Sequence, residues 1–240
     1  MRLLLAVIAL SVAGCTALPA AHVAADVVLL GEQHDAAQHQ QIARDVVASL
    51  ADRGELAALA LEMAEHGAST AALPPSAGEA DVKAALQWNE QAWPWAAYGP
   101  VVMTAVRAGV TVIGANLPRT QMRAAMADAR LDSALPEAFR AKALAALREG
   151  HCDLLPESQI APMARVQVAR DQSMARTISQ ALVRGKTVVL VTGGQHADPQ
   201  MGVPVYLPIS LHVVTQVLPP QPPARDYCAQ MREQFKGARP

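Results

Sequence analysis

An α/β fold is predicted, with a mixed, mostly parallel central sheet flanked by helices and carrying a helical cap subdomain. Three observations predict it. Short apolar runs alternate with stretches of helical period, as strands joined by crossover helices do. Two of those runs break into the same tip, Val27-Val28-Leu29-Leu30-Gly31-Glu32-Gln33-His34 and Val188-Val189-Leu190-Val191-Thr192-Gly193-Gly194-Gln195-His196, which suggests one polar site on one sheet edge. A hydrophobic share of 52% with 17% charged residues describes a globular core rather than a disordered chain.

The elements follow in chain order. Residues 1–14 read as a leader, because Arg2 precedes an apolar run, Leu3 to Leu10, too short to span a bilayer as an ordinary helix. Val12-Ala13-Gly14-Cys15 looks like a bacterial lipobox, so cleavage before Cys15 and lipidation of that residue are expected. With Thr16 next, the expected destination is the outer membrane, facing the periplasm. Residues 15–25 are then a short tether, and 26–218 a single domain. Strands are expected at Val27 to Leu30, Leu56 to Leu61, Val110 to Ile113, Thr187 to Val191 and Leu211 to Val217, with a shorter one at Val203 to Leu207. Ile42, Val46 and Leu50 give a helix with one apolar stripe for covering the sheet. From Pro118 to Gly185 no convincing strand is found. Pro136, Pro156 and Pro162 divide that stretch into helices, the expected cap. Residues 219–240 open on Pro219-Pro220-Gln221-Pro222-Pro223, a turn too rich in proline for helix or inner strand, and end in a short helical tail.

The formal net charge is −1, one unit more negative once Arg2 leaves with the leader, so the basic field that drives nucleic-acid binding is missing. Nucleic acid is not an expected partner. With Cys15 lipidated, Cys152 and Cys228 are the two remaining thiols in an oxidising compartment. A disulfide pinning the tail to the body is one outcome, and two free buried thiols the other.

Strand ends carry the chemistry. Glu32 and His34 follow the first strand, Glu62 the second, Asn116 the third and His196 the fourth, and the carboxyl ends of parallel strands are where ligands bind. Two imidazoles and one or two carboxylates suit a divalent metal such as Zn, Mn or Fe, with His34, Glu62 and His196 as ligands. The same groups, Glu32 and Glu62 above all, suit general acid–base work. The glycines at 31, 193 and 194 fit a sharp turn or a close approach to backbone. His22, His39, His66 and His212 receive no role, and Met163 and Met174 are expected to fill core. Arg165 is expected in a surface ion pair, while Arg119 and Arg170 are candidates for a ligand's carboxylates.

The chain has three Trp, three Tyr and two Phe, and four of these eight, Trp88, Trp93, Trp95 and Tyr98, fall close together. Helix packing explains the cluster, with Pro94 near a first turn; a flat apolar ligand explains it as well, and a tyrosinate can ligate ferric haem.

A set of short motifs in order carries a family resemblance: Gly31-Glu32-Gln33-His34, Leu61-Glu62-Met63, Trp95-Ala96-Ala97-Tyr98, Ala115-Asn116-Leu117-Pro118-Arg119, Gly150-His151-Cys152, Gln167-Val168-Ala169-Arg170-Asp171 with Met174-Ala175, and Gly193-Gly194-Gln195-His196 before Gly202-Val203-Pro204. From Asp26 to Leu207 the chain resembles the ChaN family of iron-regulated haem-binding lipoproteins, in a superfamily with Tiki, TraB and the erythromycin esterases. The resemblance implies a membrane-anchored lipoprotein that binds haem, alone or as a homodimer, and serves haem or iron uptake beside an outer-membrane receptor. It implies a haem site drawn from His34, Trp95, Tyr98, Asn116, Arg119, Arg170 and His196, with Tyr98 or a pocket histidine as axial ligand. The hydrolytic relatives imply the alternative, a periplasmic divalent-metal-dependent hydrolase using His34, Glu62 and His196, with Glu32 activating water.

Overall fold

The structure, a computed structural model, describes residues 25–237. Its centre is a sheet of five strands, β1 (Val27–Glu32), β2 (Leu56–Glu65), β3 (Val112–Asn116), β4 (Thr187–Gly193) and β5 (Val213–Val217), in the order β3-β2-β4-β1-β5. Every pairing between named strands is parallel, and one isolated antiparallel bridge joins Ser69 to Ile113. The inner strands β1 and β4 are buried along almost their whole length, which is why they read as unbroken Val and Leu runs rather than alternating ones.

Helices cover both faces. On one side α1 (Ala37–Asp52) and α3 (Trp95–Arg107) bury Val47, Tyr98 and Val102 against Leu59, Leu61, Val189 and Val191. A short helix, α2 (Glu79–Ala85), adds Val82 to that core. On the other side, α6 (Glu157–Ala181) lays Met174, Ala175 and Ile178 on Val27, Leu29, Val188 and Leu190. The cap consists of α4 (Arg119–Ala127), a 3-10 segment at Ala129–Ser133, and α5 (Glu137–Gly150), all packed along α6. Proline precedes α3, α4, α5 and α6 at positions 94, 118, 136 and 156, where its fixed φ and missing N–H suit the entry to a helix. The last helix, α7 (Tyr227–Gly237), is tied to the end of α5 by a disulfide between Cys152 and Cys228. No helix among the described residues is long and apolar enough to cross a membrane.

The structure corrects four expectations. Val203–Tyr206 is a 3-10 turn rather than a strand, because Pro204 has no N–H to offer a ladder. Pro162 lies inside α6 instead of dividing it; the backbone bond it removes is that to Ser158, whose carbonyl sits in an exposed first turn where water can take over. The buried stripe of α1 is His39, Ala43, Val47 and Leu50, one residue round from the Ile42 and Val46 reading. The third strand begins two residues later than expected, after Gly109 turns the chain at φ 74°. The lipobox at Cys15 and the leader before it lie outside the described residues.

Candidate functional site

The carboxyl ends of β1, β2 and β4 meet in one buried polar cluster. Glu62 sits at its centre, and the β2–β3 register shifts between Leu61 and Glu65, so Glu62 falls in an irregular stretch of strand. Such irregularities turn a side chain out of the ladder. Its Oε2 accepts the Thr192 hydroxyl and the Gly193 N–H, each at 2.7 Å, and its Oε1 accepts the Arg170 guanidinium. The same Oε1 lies 3.9 Å from His34 Nε2 and 3.8 Å from His196 Nε2. Burial alone would raise this carboxyl. The His196, His34 and Arg170 charges and the Gly193 amide outweigh burial and hold it well below the usual carboxylate range.

Each imidazole is oriented by a carboxylate of its own. His34 donates from Nδ1 to Glu32 Oε1 at 2.9 Å, and His196 donates from Nδ1 to Asp171 Oδ1 at 2.6 Å. In the neutral form of each ring this leaves Nε2 as the nitrogen with a lone pair. Burial would lower both imidazoles, yet both are raised: His34 by the Glu32 hydrogen bond and the Glu62 charge, His196 by the charges of Asp171 and Glu62. Burial in turn pushes the Asp171 carboxyl up, against the pull of His196.

Glu32 is buried as the last residue of β1. Besides His34 it accepts the Tyr98 hydroxyl at 2.6 Å and the Gln40 amide at 2.9 Å. Tyr98 is fully buried, and burial together with the Glu32 charge pushes its phenol far above the ordinary value. It stands as a donor, not as a tyrosinate. Arg170, from the middle of α6, also donates to Asn116 Oδ1 at 2.9 Å and to Gln167 Oε1 at 3.4 Å, while Asn116 donates to the Glu62 carbonyl at 2.9 Å. Close packing supports this: a Cβ on Gly193 would stand 3.0 Å from His34 Nε2, and one on Gly31 would stand 2.8 Å from the Ala197 Cβ.

Above the cluster opens a cavity of about 930 Å³. Its floor is Glu32, His34, Glu62, Arg170 and His196; Trp93, Pro94, Ala97 and Tyr98 form one wall, and Leu147 and His151 from the end of α5 the other. Trp93 stands edge-on to His34 with ring centres 4.8 Å apart. A second, more apolar chamber of about 310 Å³ lies under the cap and shares His196 and Gln195 with the first.

Several candidate residues take other places. Trp95 does not line the cavity: it is buried, with Nε1 donating to Glu79 at 2.8 Å, because its neighbour Trp93 takes the cavity side. Arg119 is exposed at the start of α4, where its backbone N–H donates to Glu65, and it is not among the cavity residues. Asn116 supports Arg170 from beneath rather than lining the cavity. Arg165 is engaged by both oxygens of Asp132 at 2.7 Å. His34, Glu62 and His196 do converge, but the carboxylate oxygen between the imidazoles already accepts Arg170. Among the described residues no group of three or more His, Cys, Asp or Glu is set to hold a metal ion. As the side chains stand, a cation placed between them would meet the Arg170 guanidinium. Sequence reasoning missed Gln40, Asp171, Thr192 and His151 as parts of the site; the Arg-Asp pair at 170 and 171 was the visible signal for one of them, and the aromatic cluster that included Trp93 does reach the cavity.

Fold and site together define a parallel-sheet α/β protein with a roofed polar cavity over the carboxyl ends of its strands. The family model for haem-binding uptake, Tiki superfamily, ChaN, matches residues 19–207, and the chain belongs to that family. Among solved structures it is similar to ChaN of Campylobacter jejuni, described with cofacial haem binding, at a TM-score of 0.69 and 21% identity over 82% of each chain. The type III effector HopBA1 is a more distant likeness, with a TM-score of 0.42 and 18% identity over 71% of this chain and 67% of that one. No curated protein matches the chain.

Proposed function

We propose that this protein binds haem in the cavity at the carboxyl edge of its sheet, as an envelope lipoprotein serving haem or iron uptake. The observation that carries the reading is His34, an imidazole whose Nδ1 is fixed by buried Glu32 and which lines a cavity of about 930 Å³ beside the indole of Trp93. A volume in the upper range of small-molecule sites, with apolar walls and a few placed polar groups, suits a flat macrocycle. Haem, when bound, would supply an iron that takes a nitrogen donor, and His34, held through its other nitrogen by the Glu32 carboxylate, would be a strong donor of that kind. Tyr98 is the weaker candidate, because its proton is held on the Glu32 carboxylate. Family membership supports the same ligand.

Anchoring through lipidated Cys15, placement at the outer membrane facing the periplasm, a homodimer around the ligand and an outer-membrane haem receptor as partner belong to the same proposal. They rest on the lipobox and on the family. The test is a haem titration of the purified protein followed by Soret absorbance. Saturable binding near one haem per protomer is expected. His34→Ala is expected to shift the Soret and charge-transfer bands, and Tyr98→Phe to leave them in place; the reverse pattern would move the axial role to the phenol. Protein that takes up no haem at saturating ligand would overturn the reading.

A further inference from the structure

The family match ends at residue 207, yet the cavity wall does not. After β5 the chain crosses back over the mouth of the site as a strap, and Arg225 and Tyr227 line the cavity from it. The strap is held at many points. His39 Nε2 meets the Pro219 carbonyl at 3.1 Å, and the Gln221 N–H and side-chain amide donate to Gln33 and Gln38 at 3.0 and 2.8 Å. Asp35 Oδ2 accepts the Ala224 N–H at 2.7 Å and the Tyr227 hydroxyl at 3.0 Å. The disulfide from Cys228 to Cys152 pins the far side next to His151.

Two guanidiniums line the cavity, and they differ in what they have left to offer. Arg170 is engaged by Glu62, Asn116 and Gln167. Arg225 stacks over the Tyr227 ring, 4.8 Å from its centre, and no carboxylate among the described residues pairs with it. A stacked guanidinium is held flat with its N–H edge outward, the posture for taking a carboxylate by two parallel hydrogen bonds. Arg119, the other candidate for that task, is outside the cavity.

We infer that the C-terminal strap completes the ligand site of this chain and that Arg225 is the residue that takes a propionate carboxylate of the bound haem. The inference rests on the haem reading and deepens it: the iron end is set by the sheet edge, and the carboxylate end by a segment beyond the family match. Tyr227 and Asp35 act as positioning residues, one as the platform for the guanidinium and the other as the anchor of that platform.

The experiment compares haem with its dimethyl ester, in which both propionates are neutral, on the unaltered protein, on Arg225→Ala and on Arg225→Lys. Arg225→Ala is expected to weaken haem by roughly 10- to 100-fold, the worth of a charge-assisted hydrogen-bonded pair, and to leave the diester within about twofold. Arg225→Lys, which keeps the charge and loses the fork, falls between. An equal loss on haem and diester would overturn the assignment, since a merely structural residue would act on both. So would unchanged haem affinity in Arg225→Ala while the unaltered protein binds. Failure of the unaltered protein to bind haem would instead remove the haem reading and this assignment with it.

Discussion

Glu62 is the residue on which the site turns. A carboxylate so deeply buried is tolerable only because its lone pairs are filled by a guanidinium, a hydroxyl and a backbone N–H while two imidazoles stand within 4 Å. Removing the guanidinium leaves that charge without its strongest partner. Arg170→Ala is therefore expected to destabilise the fold by about 3–5 kcal/mol, the range for breaking one side of a buried ion pair, measured as a lowered urea midpoint at unchanged slope. A loss under about 1 kcal/mol would mean that water takes the place of the guanidinium and that the cluster is wetter than its burial suggests. Asp171 shows what a sequence hides at this scale. It adjoins Arg170, yet the two side chains serve different partners, Arg170 reaching Glu62 and Asp171 reaching His196. Adjacency on a helix does not reveal that division, because it depends on where α6 lies over the sheet.

At the scale of elements, strand ends, one long helix and a strap divide the work. The strands deliver Glu32, Glu62 and Gly193 to one edge because parallel pairing aligns their carboxyl ends, with Glu32 opposite Gly193 in register. Helix α6 supplies Arg170 and Asp171 by lying across that edge. Trp93 and Trp95 illustrate the limit of reading a cluster by composition: both are aromatic and two residues apart, but Pro94 between them begins α3, so one indole faces the cavity and the other the core. The strap depends on its covalent tie. Replacing Cys152 and Cys228 with Ser opens a loop closed over 76 residues and is expected to lower stability by about 2–4 kcal/mol, read from unfolding curves with and without reductant. Curves for the unaltered protein that are insensitive to reductant would show that the hydrogen bonds to Asp35 and Gln33 hold the strap without the bond.

The molecule as a whole carries its buried charges into its pH dependence. Glu62 is depressed below its ordinary 4.5, so its contribution is present above that value and fades as pH falls toward the depressed one. His34 and His196 are raised above 6.5, so theirs is complete below that value and is lost as pH climbs through the raised ones. Asp171, raised above 3.8, also loses stability with rising pH and opposes Glu62 on the acid side. Stability is therefore expected to peak in mildly acid solution, between about 4.5 and 6.5, and to decline toward alkaline pH. Thermal midpoints measured across that range should show the alkaline decline flattened in His196→Gln; an equal slope in both proteins would remove His196 as its source.

The α/β class, the five strands and the strand-end placement of Glu32, His34 and His196 were legible in the chain itself, because period and strand-ending glycines are local signals; Glu62, expected after the second strand, lies inside the longer β2. Partners across the sheet were not. Which guanidinium Glu62 accepts, which indole faces the cavity, and that the tail lines the site were decided by tertiary structure alone. Each of these depends on distances between residues far apart in sequence, and only the packing of helices on the sheet sets those distances.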